Sequence, residues 1–530
     1  MPRWDELFPK ELWVQEVFEM LEPVDILSLS ETCRSLHKLI IQKSIWVRIL
    51  RTMCKRHGLF MASYPVATMD IARLQRACMG PRRWDRLIQK HSFSSEDLGK
   101  GFTSSRLPPS SKVDLGDDVP LGLGSYLVPG GRFLVAPRGE VNSSNGSSST
   151  IVKILDMGVP CQKPLEDPVL VAQYTIDIGF MGEGRPIPRL SVGAVGEDTL
   201  RVAVLVTNPY SDTLNGEVTV LEIRLTDDEP TFKKLSSTSF SGLSTEATQI
   251  HICLRGDLLL FRSDNGIIVW DFVSGRYTSW ETNIDIQSLF IEKFTFTHEL
   301  FVSLSGDGVF MWNIPSREAD EHWISCTGHI SASKAPPVPP ASRIPCKMKF
   351  TSHMSRRGFQ ILGPQPCAAM PITLDAFFGF LDPATHATKI ATYRFTFDLK
   401  PKTPGRLESA ANRVYMTFNT KFILPFSSFS LDTRTPMGSC ILNGARTPQR
   451  TWPMSLAFSL TEFSSPANKT FTASVTKDKT ERCDLSIPRF TILNSLVHLC
   501  CPASGRVVYS ARYIDEYRFC LVDHTLPVTQ

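Results

Sequence analysis

The sequence predicts a multidomain chain, a small all-α region followed by a large all-β domain, and three observations carry that prediction. Apolar residues recur at helical spacing only as far as about residue 91. A Ser/Gly/Pro-rich connector, SFSSEDLGKGFTSSRLPPSSK, then begins at Ser92. Beyond it, short β-rich runs alternate with turn clusters to the last residues. The expected organisation is a helical domain at 1–52, a helical spacer and linker at 53–115, and a β domain at 116–530.

In the helical part, Pro9 suits a first helical position and the pattern runs to Leu21. EPVDILSLS restarts it with Pro23 and presents Ile26, Leu27 and Leu29. CRSLHKLII places Cys33, Leu36 and Ile40 on one face. SIWVRILRTM follows, with Ser44 as the expected N-cap and Trp46, Ile49, Leu50 and Met53 at helical spacing. Two more short helices are expected in VATMDIARLQRACM and, after Gly80-Pro81, in RRWDRLIQKH.

The β part carries runs such as RFLVAP, STIVKILDM, LRVAVLVTN, EVTVLEIRL, GIIVWDF, GVFMWNI and GRVVYSARYI, which fit a barrel, a sandwich or a propeller. A repeat decides among them. SDNGIIVWD (Ser263 to Asp271) and SGDGVFMWN (Ser305 to Asn313) align residue for residue, with Trp270 and Trp312 spaced 42 apart. Gly266 and Gly308 would supply the backbone of a tight hairpin turn, after which each strand delivers its Trp between blades. These segments resemble the second strand–turn–third strand portion of WD repeats, which implies a WD-like β-propeller. NGEVTVLEI (Asn215 to Ile223) and STIVKILDM (Ser149 to Met157) read as degenerate copies. The length would suit seven blades with long insertions, but the repeats blur after about residue 350, which leaves the blade count open and a different β fold in the last third as the alternative. SSNGSSST (Ser143 to Thr150) and ASKAPPVPPASRIP (Ala332 to Pro345) are expected as loops.

Bulk properties exclude several classes. Composition is 42% hydrophobic and 21% charged, and the net charge is +4. No run of about 18 apolar residues exists, so a membrane span is not expected. MPRWDELFPK lacks a basic stretch before an apolar core, so no secretory leader is expected. The thirteen cysteines are scattered without a CxxC pair, which fits reduced thiols in the cytoplasm or nucleus.

The first helix, FPKELWVQEVFEML, has more apolar surface than a helix packed on one side needs. On an α-helical wheel with Leu12 at zero, Met20, Trp13, Val17, Leu21, Val14 and Phe18 fill a sector about 160° wide. Glu11, Gln15, Glu16, Glu19 and Glu22 take the opposite side, and Leu12 falls outside the sector. A surface helix needs only about 100°. Part of the remainder must bury against something else.

Phe8-Pro9-x-Glu11-Leu12, Val17-Phe18, Leu21, Asp25-Ile26-Leu27-x-Leu29-Ser30, Thr32-Cys33-Arg34-x-Leu36 and Ile45-Trp46 resemble an F-box, with Phe8 where the family has Leu. The resemblance implies docking on the Skp-type adaptor of a cullin-based SCF ubiquitin ligase. By motif position, it places the adaptor contact on Phe8, Pro9, Leu12, Val17, Leu21, Ile26 and Leu27, and leaves Cys33, Leu36 and Trp46 to hold the motif together. The β domain would then bind an unspecified protein target for ubiquitination, with other subunits supplying the chemistry.

Charge is uneven: residues 1–31 sum to −6 and residues 32–90 to +11. The basic stretch lacks an aromatic–basic nucleic-acid motif and reads as solvated helix faces or as steering toward an acidic adaptor. No Walker A, GxGxxG, GxSxG or HExxH pattern occurs, and no histidines sit at metal-ligand spacing. A non-catalytic subunit without cofactor or metal is therefore expected. A propeller scaffold outside any ligase, and a propeller-fold enzyme, are the alternatives. Arg132, Arg201, Arg255, Arg262 and Arg276 are available to read phosphate if they converge.

Overall fold

A computed structural model describes residues 12–90, 111–115, 125–141, 147–162, 165–180, 187–207, 214–243, 251–262, 266–281, 293–296, 300–305, 308–318, 322–331, 342–345, 359–362, 372–381, 388–397, 414–424, 428–431, 439–445, 455–460, 474–475, 480–485, 495–501, 504–513 and 516–523. The first helix, α1, is a π-helical turn at Trp13–Val17 that runs on into an α-turn at Phe18–Met20. Leu21 is extended and ends it. Pro23 then opens α2 (Pro23–Ser30), where its missing N–H costs nothing. Next come α3 (Arg34–Ile40) and α4 (Lys43–His57). The N-cap of α4 is Gln42 and not Ser44, which lies inside the first turn. Gly58, at φ 60°, stops α4 with a left-handed cap. In α5 (Ile71–Cys78) the Asp70 carboxylate accepts the Arg73 N–H at 2.8 Å. The last helix, α6 (Gly80–Lys90), starts ahead of Pro81 and not after it.

One apolar core runs through these helices. Phe18, Ile26, Ile40, Ile45, Trp46, Ile49 and Leu50 share it with Met61, Tyr64, Leu74 and Cys78. The Trp46 indole is completely buried, and its Nε1 donates to the Ile40 carbonyl at 2.7 Å. Residues on both sides of position 52 thus belong to one packed unit.

The β part is seven sheets, each built on four antiparallel strands, which in six of them run in sequence order from the inside outward. Blade one is Tyr126–Leu127, Phe133–Val141, Ser147–Asp156 and Val169–Phe180. Blade two is Ile187–Val195, Thr199–Thr207, Leu214–Arg224 and Lys233–Leu243. Blade three is His251–Arg255, Leu258–Arg262, Gly266–Asp271 and Arg276–Glu281. Blade four is Lys293–Phe296, Leu300–Ser305, Gly308–Asn313 and Ser342–Pro345. Blade five is Phe359–Leu362, Ile372–Leu381, Thr388–Phe397 and Val414–Leu424. Blade six is Ser428–Leu431, Ser439–Ala445, Ser455–Leu460 and Thr480–Leu485.

Blade seven is Ser495–Cys501, Arg506–Tyr513 and Glu516–Asp523, completed on its outer edge by Ser111–Asp114 from the other end of the β part. Neighbouring blades touch through their innermost strands, except that blade six meets the inner strand of blade seven through its second strand, and blade seven meets blade one. The β part is therefore a seven-bladed propeller closed by a strand from a segment whose sequence reads as linker.

The four repeat copies occupy one structural position, the third strand of blades one to four. Trp270 packs between blades two and three, and Trp312 between blades three and four. Two low-complexity stretches differ from the expected loops. Ser147–Thr150 begins the third strand of blade one, with Ser148 and Thr150 buried, because small hydroxyl side chains fit a crowded sheet interior. Ser342–Pro345 forms the outer strand of blade four, an edge position where proline breaks no ladder.

Candidate partner-docking site

The sequence-predicted contact residues divide by burial. Leu12 is 45% exposed, while Val17, Leu21 and Leu27 are half-buried, the two leucines leaning on the helical core. Ile26 has no exposed surface, so it belongs with the residues that hold the motif together, because α2 turns it straight into the core. Phe8 and Pro9 lie outside the described residues. Of the residues expected to be internal, Trp46 is buried, Leu36 packs against the core at partial exposure, and Cys33 is half-buried at the N-cap of α3. Two exposed apolar side chains were not in the predicted contact set: Met20 at 76% and Ile41 at 47%. Met20 was visible in the helical wheel. Ile41 follows buried Ile40, and a step of about 100° between neighbours turns the second isoleucine outward.

Much of the basic excess that follows is bonded within the chain. Arg48 Nε donates to Glu19 of α1 at 2.9 Å, which ties the first helix to α4. Arg51 pairs with Glu197 of the propeller at 3.3 Å, Arg73 pairs with Asp70, and Lys43 donates to the Ala67 carbonyl.

The helical unit is fastened to one face of the ring. Phe60 N–H donates to the Pro129 carbonyl at 3.0 Å, and Ala62 N–H to the Glu197 carbonyl at 2.9 Å. Ser63 Oγ donates to the Pro129 carbonyl, and Arg132, itself paired with Asp156, reaches the Ala62 carbonyl. The Phe60 side chain is buried in the core between blades one and two, while Val159 of blade one packs on the helical core. Helix α6 lies against the outer strands of blade six. Pro129 and Glu197 sit in turns between first and second strands, and Val159 between third and fourth. The helical unit therefore covers the end of the ring that carries those turns. The segments between second and third strands and between successive blades fall outside the described residues.

The candidate arginines with described side chains are each engaged within the chain. Arg132 pairs with Asp156, Arg201 with Glu222 and Asp257, and Arg276 donates to the Arg317 carbonyl. Burial works against the Asp257 charge, but hydrogen bonds from Arg201 and Arg317 outweigh it and hold that carboxyl below the usual range. The Arg262 side chain lies outside the description.

Around the seam between helices and ring, burial pushes Tyr64 and the Cys78 thiol up, and the Cys161 thiol up to about 12. The seven cysteines whose side chains are described are free thiols. No metal-holding cluster occurs among the described residues, and no described helix is long and apolar enough to cross a membrane.

The profile of the F-box domain family matches residues 14–48, the stretch that contains most of this site. Among solved structures, the WD40 domain of SCAP from fission yeast is similar over 79% of this chain and 97% of that one, at 8% identity and a TM-score of 0.37. The N-terminal domain of Nup159 is similar over 77% of this chain and 99% of that one, at 11% identity and a TM-score of 0.26. The β-propeller domain of the Trilobed protease from Pyrococcus furiosus is similar over 64% and 94%, at 10% identity and a TM-score of 0.25. No curated protein sequence matches the chain.

Proposed function

We propose that the chain is the substrate-recognition subunit of an SCF-type ubiquitin ligase, with its helical unit docked on a Skp-type adaptor and, through it, a cullin. The observation that carries this reading is the F-box match at residues 14–48, on a helical unit that keeps apolar side chains in water after its own core is filled. Leu12, Val17, Leu21 and Leu27 make the adaptor contact, joined by Met20 and Ile41. Phe8 and Pro9 keep their place in it by motif position, and Ile26 supports the surface from beneath. A stable interface buries roughly 1,600 Å² in total, with a few apolar anchors dominating. The propeller face turned away from the helical unit takes the protein target. Catalysis is by proximity: the receptor holds target lysines near a ubiquitin-charged enzyme and contributes no nucleophile. The same reading places the protein in the cytoplasm or nucleus, where such ligases work.

Purified full-length chain mixed with a Skp-type adaptor is expected to form a one-to-one complex on size exclusion. Leu21→Asp combined with Leu27→Asp should abolish it while the thermal transition of the propeller is kept. Failure of the unaltered chain to bind adaptor would sink this reading.

A further inference from the structure

The first helix is not the regular α-helix that its sequence spacing implies. Its Trp13–Val17 segment is a π-turn, and the Phe18 N–H donates back to the Trp13 carbonyl, five residues earlier. Such a turn holds about one residue more than an α-turn, so residues beyond it lag the α-helical phase by about 100°.

That lag changes which side chains share a line. In an unbroken α-helix Met20 would stand about 80° from Leu12, and Leu12 would lie outside the apolar sector. With the π-turn, Met20 falls within roughly 20° of Leu12, Val17 comes next, and Phe18 and Val14 lie farthest round. Burial follows this second order. Leu12 and Met20 are the exposed residues, Val17 is half-buried, Phe18 is 3% exposed, and Val14 packs on the core.

We propose that the π-turn is the element that builds the adaptor-facing ridge. It brings Leu12 into register with Met20 while keeping Val14 and Phe18 in the core. The inference rests on the adaptor-docking reading above and names the device behind it. The occupant is the Skp-type adaptor, because all but the first residue of the turn lies within the segment that matches the F-box family. A π-turn is a poorer closure than an α-turn and recurs where function requires it. Here its extra residue sets the phase of a surface on which Leu12 and Met20 are exposed.

The phase argument has a sharp consequence for exposed Gln15. Deleting it lets the turn close as α while leaving Leu12, Met20, Val14 and Phe18 on their present lines. Inserting one alanine after Gln15 moves Leu12 away from Met20 by about 100°. Full-length variants are titrated with adaptor by calorimetry, and their melting is followed in parallel. The Gln15 deletion is expected to bind within about 3-fold of the unaltered chain and to melt no lower. The alanine insertion, Leu12→Asp and Met20→Asp should each weaken binding at least 10-fold with propeller melting intact.

If the unaltered chain binds but the Gln15 deletion does not, or if Met20→Asp binds normally, the ridge proposal is overturned and the docking reading stands. If the unaltered chain does not bind, the docking reading fails and takes the ridge's role with it. Melting of the deletion variant then reports the helix phase alone, which separates the two failures.

Discussion

Arg506 and Asp523 have no solvent contact, so their charges are stabilised by what surrounds them. The guanidinium faces Asp523 at 3.3 Å and donates to the carbonyls of Gly131, Gly158, Val159 and Gln162 at 2.9, 2.6, 3.0 and 3.3 Å. One side chain thereby ties the second and third strands of blade seven to two turns of blade one, beside the residues that carry the helical unit. Breaking a buried pair from one side costs about 3–5 kcal/mol, because the remaining charge is stranded. Arg506→Ala should lower stability by that amount in urea denaturation, and Arg506→Met with Asp523→Leu should recover part of the loss. The sequence offered no route to this residue: the carbonyls that hold it lie hundreds of positions away, and the arginines that looked useful were those near the repeats. Gly216 shows a related limit. Aligned with Gly266 and Gly308 in the repeat, Gly216 would be a turn former, yet it does not adopt a left-handed backbone. Its requirement is space, since a Cβ would collide with the Phe240 ring and meet the Val206 carbonyl at 2.7 Å.

Single elements were legible where local pattern and packing agree. The third strands of blades one to four could be read because each combines a turn, an alternating run and a buried face. Blade four hides its last strand: between Gly308–Asn313 and Ser342–Pro345 the chain leaves the blade and straps its neighbours. Ile324–Ser325 pairs with the outer strand of blade three, and His329–Ser331 pairs in parallel with the outer strand of blade two. Parallel pairing at that range has no local sequence signature. The strap is anchored by Ile330, fully buried among Phe240 and its neighbours, and by the His329 ring, whose nitrogens lie 2.8 and 2.9 Å from the hydroxyls of Ser239 and Ser241. It also covers an edge that could otherwise recruit another chain. Ile330→Ala removes a buried side chain of a class worth about 2–5 kcal/mol. The expected result is a stability loss in that range and faster amide exchange along Lys233–Leu243, with the distant blade-seven amides unchanged.

For the whole molecule, closure of the ring matters most, because it sets how the helical unit is held. Ser111–Asp114 is paired through four positions with Glu516–Asp523, and Leu115, directly after it, is buried between blades seven and one with Leu127, Leu134, Cys501, Val508 and Leu521. The chain therefore leaves α6, crosses to blade seven to close the ring, and only then enters blade one. Helical unit and propeller are joined through this strand, through the Phe60–Ser63 contacts with blades one and two, and through α6 against blade six. If target and ligase are held at a fixed separation, these attachments fix it. Replacing Ser111–Asp114 by alternating Gly and Ser in the full chain keeps its length and removes the strand preference. Net values of about 0.5–1.5 kcal/mol per hydrogen bond put the loss at a few kcal/mol, not at global unfolding. The variant should melt earlier, be cut by protease within blade seven first, and still bind the Skp-type adaptor, because the helical core does not contain the strand. Unchanged protease resistance in blade seven would show that the first three strands hold the seam alone, leaving the Phe60–Ser63 and α6 contacts to orient the helical unit.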